Sequence, residues 1–279
     1  MVKHTIPRNL QDAINYLYQG DYQVIAGGTD LMIQKRNTAD LPPLFNSNLL
    51  YVFNLDELKY VIKEENQIRI GSMTSLETLL HHEDVPQLLK DVIIEMASPG
   101  IRNVATLAGN IANASPAGDS LVALYLMDAI VVLSSMNQNR YLPIEKVILG
   151  PRKTCIQNNE LIKEIIIPIH NFSKTSWVKV GGRRADAISK VSFCGAVTIE
   201  EGQIKDFRIA IGAVYMTVIR NRQIEKLYKN ITVQNFKNDT NNILVHYQEL
   251  IKPIDDQRSN KIYRNQVALN LIKDFVDKI

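Results

Sequence analysis

Val24-Ile25-Ala26-Gly27-Gly28-Thr29-Asp30-Leu31 is a short apolar run that ends on two glycines. Roughly eighty residues later comes Thr106-Leu107-Ala108-Gly109-Asn110, continued by Asn113-Ala114-Ser115-Pro116-Ala117-Gly118-Asp119. Glycine reaches positive φ freely and has no Cβ, so consecutive N–H groups at such a turn can form a concave nest for phosphate oxygens. Thr29 adds a hydroxyl donor. An ordinary tight turn explains the same residues. In the second stretch Asn110 and Asn113 offer amides, Ser115 a hydroxyl, and Asp119 an acceptor for hydroxyl donors such as those of a ribose. A simpler reading makes Asp119 the cap of a helix beginning near Leu121. Together the two loops point to one extended phosphate-bearing ligand held from two sides. Neither matches the dinucleotide fingerprint GxGxxG or the P-loop GxxxxGK[ST]. A third segment, Lys179-Val180-Gly181-Gly182-Arg183-Arg184, reads either as another phosphate site or as a solvated basic turn.

Around these loops the composition is that of a globular protein, with 46% hydrophobic and 22% charged residues in 279. That length accommodates one large domain or two ordinary ones. The net charge, 32 − 29 = +3, comes without any Lys/Arg run and argues against nucleic acid as a partner. Cys155 and Cys194 form no CxxC pair, so they cannot hold an iron–sulfur cluster or a structural zinc unaided. A disulfide between them stays open. The start, Met1-Val2-Lys3-His4-Thr5-Ile6-Pro7, has no apolar signal core. The apolar stretch from Leu121 to Leu133 is short of a membrane span and contains Asp128. A cytoplasmic protein without a membrane span is expected. His81 and His82 are adjacent and so do not share a helix face. No Ser/His/Asp or Cys/His arrangement stands out. No catalytic residue and no metal ligand is therefore assigned.

Periodicity supplies the elements. A helix is expected after Asn9, with Leu10, Ala13, Ile14, Leu17 and Tyr18 on one face and Gly20 at its stop. Strands are expected at Tyr22 to Ala26, Val52 to Leu55 and Ile68 to Ile70, with a short helix over Asp30 to Gln34. Thr74-Ser75-Leu76-Glu77 reads as a capping box. An amphipathic helix over Pro86 to Ala97 precedes the second glycine loop. A buried helix follows over Leu121 to Met127, then a buried strand over Ala129 to Ser134 and a strand ending at Pro168. A hairpin spans Ala196 to Ala213. The Asn-rich residues 230–242 read as a loop or frayed connection. A final helix carries Ala268, Leu271, Ile272, Phe275, Val276 and Ile279 at helical spacing.

With these motifs in this order, the chain resembles the FAD-binding subunit of the xanthine dehydrogenase and carbon monoxide dehydrogenase family of molybdenum hydroxylases. Val24 to Leu31 matches the family's first flavin loop, and Thr106 to Asp119 its second. Lys179 to Lys190 resembles a third family segment. Asp255-Asp256-Gln257-Arg258-Ser259 to Tyr263-Arg264 resembles its C-terminal motif. The resemblance implies an α+β protein: a two-subdomain FAD-binding fold of the vanillyl-alcohol oxidase (PCMH) type, followed by a C-terminal α+β domain with a small antiparallel sheet and helices. The expected boundaries are 1–172, split at about 55 into two subdomains (1–55 and 56–172), and 173–279. It further implies that Val24, Ile25, Ala26, Gly27, Gly28, Thr29, Asp30 and Leu31 bind the FAD pyrophosphate. Thr106, Gly109, Asn110, Asn113 and Asp119 would line the rest of the dinucleotide, and Leu161, Ile162 and Lys179 would touch it. Ile188 would lie beside the flavin ring. The molybdenum cofactor and [2Fe–2S] clusters would sit on a large and a small partner subunit, with NAD or another acceptor taking the electrons.

Two departures stand out. Ala108-Gly109 replaces the family's frequent Gly-Gly, and Gly118 replaces the usual Ser, which removes a hydroxyl donor. The cysteine-rich insertion of the 4-hydroxybenzoyl-CoA reductase branch is absent. Two other readings remain at this point. One is a self-contained FAD oxidase or reductase of related fold, such as the UDP-N-acetylenolpyruvoylglucosamine reductase type. The other is a flavin-free scaffold subunit.

Overall fold

Three short parallel strands open the chain in the computed structural model, which describes residues 2–279. They are β1 (His4–Thr5), β2 (Tyr22–Ile25) and β3 (Asn48–Tyr51), in the order β1-β3-β2. Parallel strands of one sheet need crossover connections, and the helix Leu10–Gln19 lies in the one from β1 to β2, the two strands that flank β3. The Asn9 side chain caps that helix by accepting from Asp12 N–H, and Gly20 ends it. Its buried face, Ala13, Ile14 and Leu17, packs with Leu50, Leu58 and Leu161.

A second sheet follows in the same unit. Its antiparallel strands are β4 (Val61–Lys63), β5 (Gln67–Gly71), β6 (Ile130–Ser134) and β7 (Asn139–Pro143). After the small hairpin of β8 (Ile148–Gly150) and β9 (Lys153–Thr154), strand β10 (Leu161–Pro168) runs into the middle of that sheet. The order is β4-β5-β10-β6-β7. Central position explains the composition of β10: Ile165, Ile166 and Ile167 are all buried. These elements form one compact unit of residues 2–85, 97–114 and 129–168.

The second unit comprises residues 86–96, 115–128 and 169–279. Its sheet is the meander β11 (Lys174–Val180), β12 (Val191–Glu200) and β13 (Gln203–Gly212). On one face Val191, Phe193, Val197, Phe207, Ile209 and Ile211 meet Phe236, Tyr247, Ile272 and Phe275 from the C-terminal helices. A Cβ at Gly195 would stand 2.7 Å from the Phe275 ring, so that ring requires glycine beneath it. The other face is built from small residues, with Ser192 opposite Gly212 and Cys194 opposite Ala210. The helix Asp119–Leu126 packs there, all eight of its residues buried. A Cβ at Gly212 would reach within 2.8 Å of Val122.

The far end of that helix meets two arginines and a histidine. Arg208 donates to the Leu126 carbonyl at 2.9 Å, Arg220 to that of Tyr125, and His170 lies 3.1 Å from that of Met127. The last carbonyls of a helix lack intrahelical donors and carry partial negative charge, so guanidinium groups suit them. Asp128 binds Arg208, Arg220 and Arg222 at 2.6–2.7 Å. Burial pushes its carboxyl up, but the three guanidiniums prevail and hold it below the ordinary range.

The α+β class is as expected from the sequence, and several local expectations are corrected. The strand expected at Val52 to Leu55 is instead Asn48–Tyr51; Val52 only closes the ladder by donating to Ile25 O at 3.0 Å. The cap of the helix Leu76–His81 is Ser75, whose Oγ accepts from Thr78 N–H, while the Thr74 hydroxyl bonds the Tyr60 carbonyl. Residues 230–242 contribute to two helices, Val233–Asn238 and Thr240–Leu250. Thr232 caps the first, and Phe236, Ile243 and Tyr247 are buried. The asparagines that suggested a loop, Asn235, Asn238, Asn241 and Asn242, all lie exposed on the outer face.

Candidate cofactor site

Strand β2 delivers the chain into Gly27-Gly28, and the structure shows why both positions are glycine. A Cβ on Gly27 would lie 1.9 Å from the Val104 carbonyl oxygen and 3.1 Å from the Ala105 nitrogen, so two backbones touch there. Gly28 has φ +67°, in the left-handed region. The turn then enters the short helix Leu31–Gln34, with Met32 N–H bonded to Gly28 O at 3.0 Å. Among the described residues the amides of Gly27, Gly28 and Thr29 donate to no protein acceptor. Adjacent, unsatisfied amides around a left-handed residue make an anion nest.

The second glycine stretch is not a loop. Leu107–Asn113 is helical, with the Thr106 hydroxyl accepting from Gly109 N–H at 3.0 Å and Ala114 ending it at φ 46°. The Gly109 amide is thus engaged internally, and Asn110 sits inside the helix. What joins the two stretches is backbone packing at Val104 and Ala105 and one side-chain bond, Gln34 Nε2 to Asn113 Oδ1 at 2.8 Å. The sequence pointed to this proximity but not to its means.

Beside the nest is a cavity of about 780 Å³, within the usual range for small-molecule sites. Ile25, Ala26, Gly27 and Gly28 line one wall; Val24, Thr29, Asp30, Leu31, Thr106, Gly109, Asn110, Asn113, Leu161 and Ile162 do not line it. Leu161 and Ile162 are buried, Leu161 in the core of this unit. Sequence reasoning missed Tyr51, Phe53, Tyr60, Thr74, Thr78 and His82, which are among the other residues lining it. The alternation of Tyr51 and Phe53 about Val52 was the available signal. The Tyr60 hydroxyl donates to Glu164 at 2.7 Å, and Arg69 clasps the same carboxylate at 2.9 and 3.1 Å. Burial first, then the Glu164 charge, push the Tyr60 hydroxyl well above its ordinary range, so it stays a donor.

Three further expected residues lie in the second unit. Asp119 is 7% exposed and is neither free nor a cap; the cap of its helix is Gly118. Its carboxylate binds Lys179 Nζ at 2.8 Å and accepts from the Ser189 hydroxyl at 2.5 Å. Burial pushes Asp119 up, against the pull of Lys179 and Ser189. Lys179 also donates to the Glu95 carbonyl at 2.7 Å. Ile188 is 54% exposed. In the basic segment the Arg183 guanidinium folds back onto the Ala185 and Asp186 carbonyls, the arrangement of a solvated turn. The C-terminal motif is architectural as well. Asp256 Oδ1 accepts from the amides of Arg258 and Ser259 and from Arg264, which also reaches the Lys190 and Ala213 carbonyls. Both cysteines are free; burial keeps the Cys194 thiol protonated and unreactive. Among the described residues no cluster of His, Cys, Asp or Glu is placed to hold a metal ion, and no helix is long and apolar enough to cross a membrane.

A nest of free amides beside a cavity of this size has the chemistry that an anionic ligand needs. Residues 1–170 match the family described as the FAD binding domain in molybdopterin dehydrogenase, and residues 176–279 the CO dehydrogenase flavoprotein C-terminal domain. The chain belongs to this family of FAD-binding oxidoreductase subunits. It is 28% identical over 265 residues to the glyceraldehyde dehydrogenase medium chain of Sulfolobus acidocaldarius, covering 93% of this chain and 92% of that one. To the xanthine dehydrogenase FAD-binding subunit of Escherichia coli O157:H7 it is 27% identical over 279 residues, covering 97% and 91%. The fold matches quinoline 2-oxidoreductase from Pseudomonas putida 86 with a TM-score of 0.88 at 19% identity, covering 100% of this chain and 96% of that one.

Proposed function

We propose that this chain is an electron-transfer subunit that holds FAD with the amides of Gly27, Gly28 and Thr29 at the pyrophosphate. The observation that carries the reading is those three amides, without a protein acceptor, at a turn that bears on a cavity of about 780 Å³. A pyrophosphate there would meet no negative charge of the loop itself except Asp30, which is exposed and bonded to Gln34. The aromatic wall of Tyr51, Phe53 and Tyr60 suits the flat ring of a nucleotide. Val24, Ile25, Ala26, Asp30 and Leu31 shape the turn. Thr106, Gly109, Asn110 and Asn113 brace it through their helix, Leu161 and Ile162 support it from the core, and Ile188 presents an apolar surface to the flavin.

When bound, FAD supplies one- and two-electron chemistry, as needed by a subunit that passes electrons from iron–sulfur clusters on a partner to NAD or another acceptor. The protein's part is to bind and orient it. The partners we infer are a large subunit with the molybdenum cofactor and a small [2Fe–2S] subunit. Two features support this: the curated relatives are named as medium or FAD-binding subunits, and Cys155 and Cys194 cannot ligate a cluster by themselves. Reconstitution tests the reading. The chain is mixed with the subunits encoded beside it, and flavin absorbance is followed on adding the hydroxylase substrate. Bleaching of the flavin only in the mixture is the expected result. Full turnover by the isolated chain, or failure to bind such subunits, would overturn it.

A further inference from the structure

The connection between β11 and β12, residues 181–190, is exposed over most of its length and carries Arg183, Arg184 and Ile188. Its neck is closed by Lys190 N–H bonding Val180 O at 2.8 Å. Two side chains flank it, Lys179 on the incoming strand and Ser189 at the outgoing end. Both are buried, and both bind the same carboxylate, Asp119 on the first turn of the helix Asp119–Leu126. We propose that Asp119 is a positioning residue: by bonding Lys179 and Ser189 together it holds both stems of this connection and so sets where Ile188 stands.

Several observations converge on that role. Ser189 is 1% exposed, and its hydroxyl donates to Asp119 Oδ1. One residue before it, Ile188 is 54% exposed, so the chain passes from fastened to free within a single step. Lys179 and Asp119 side chains are each 8% exposed. A buried ion pair adds little stability over an apolar pair of the same volume, yet leaves a costly orphan if one partner is lost. Its worth here lies in geometry, because the carboxylate accepts in two fixed directions. Strand β11 is also the edge of its sheet. It is fastened on the same face by Trp177 Nε1 to Glu95 Oε2 at 2.9 Å and by Lys179 Nζ to the Glu95 carbonyl at 2.7 Å. The incoming stem is therefore held at several points, whereas the outgoing stem is held at Lys190 by its backbone bonds to Val180 and Arg264, and Ser189 is the side-chain fastening next to Ile188.

The consequence for the flavin rests on the reading above, that Ile188 faces the ring. The clamp itself does not, and the test separates the two. Amide hydrogen exchange across residues 181–190 is measured on the full chain stripped of flavin, for the wild type and for Ser189→Ala, Ser189→Thr and Asp119→Asn. Loss of a bond to a charged group should speed local opening about ten- to a hundredfold. Ser189→Ala should show this in residues 181–190 while β12 and β13 keep their protection, and Ser189→Thr should restore the slow exchange. Wild-type exchange in a folded Ser189→Ala protein overturns the proposal, whatever becomes of Asp119→Asn. A second readout follows the flavin band of the reloaded protein. If exchange rises while that spectrum stays unchanged, the clamp stands and the placement of Ile188 beside the ring falls.

Discussion

Two glycine pairs look alike in this sequence and do opposite things. Gly27-Gly28 is held against the Val104–Ala105 backbone, with Gly28 in the left-handed region and, among the described residues, no protein acceptor for the amides of Gly27, Gly28 and Thr29. In the second pair a Cβ on Gly181 would meet only its own loop, Ala187 Cβ at 2.8 Å and the Arg183 carbonyl at 3.2 Å, nothing lies within 4 Å of one on Gly182, neither needs positive φ, and the loop is mostly exposed. Around the first pair the polar groups are open to a ligand. Around the second, the charged groups close on one another: Lys179 on Asp119, and Arg183 on its own loop carbonyls. What sets the first pair apart is contact with a backbone distant in sequence together with positive φ. Basic residues mark an anion site only where their donors are not already taken.

Substitution can break this contrast, and Gly27→Ala should have the largest effect. Its methyl carbon would stand 1.9 Å from a carbonyl oxygen that cannot rotate away. Such overpacking costs about 1–3 kcal/mol, and separating Val104 from the turn should remove bound flavin too. Denaturant unfolding with flavin absorbance measures both. A Gly27→Ala protein of wild-type stability and flavin content would show that the two backbones do not need their contact.

Gly28→Val comes next. A left-handed conformation costs a residue with a Cβ about 1–2 kcal/mol, and the branched side chain meets Met32 Cγ, already 3.2 Å from a plain Cβ. The fold should survive with much less flavin. Free FAD at a hundred times its Kd should stabilise the wild type by about 2.7 kcal/mol and the variant by far less. Equal thermal shifts on adding FAD would take this turn out of the site.

Thr106→Ala should act through stability, lowering flavin content only as far as the weakened helix ceases to brace the turn. Its hydroxyl caps the helix Leu107–Asn113, and loss of such a cap costs about 1 kcal/mol; Thr106→Ser should be close to wild type. A large drop in flavin affinity for Thr106→Ala without a loss of stability would make that hydroxyl a ligand rather than a cap. Gly182→Ala should be the mildest change, within about 0.5 kcal/mol in unfolding and without effect on flavin. A strong phenotype there would mean that Gly182, too, makes a contact essential to the protein.

How much was legible beforehand follows from which interactions are local. The helix Leu10–Gln19, the buried helix near Leu121, the hairpin β12–β13 and the C-terminal helix were readable because periodicity and caps act within a few residues. The helices Val233–Asn238 and Thr240–Leu250 were hidden because four exposed asparagines outweighed three buried residues spaced four to seven apart. The second glycine stretch read as a loop because Gly109 and Asn110 are poor helix formers. Tertiary packing overrode that weak preference once Leu107, Ala108 and Ile111 were buried.

By itself, then, the sequence determined the order of the motifs and the turn at Gly27-Gly28-Thr29, since left-handed backbone and closely spaced amides are local properties of glycine; the class of fold came from the family that those motifs resemble. Only the tertiary structure decided what the distant residues do. It set Val104 against Gly27, placed Tyr51, Phe53 and Tyr60 around one cavity, and gave Asp119 to Lys179 and Ser189. A carboxylate takes its role from whichever donors the fold brings within about 3 Å, and the spacing of residues along the chain does not carry that distance.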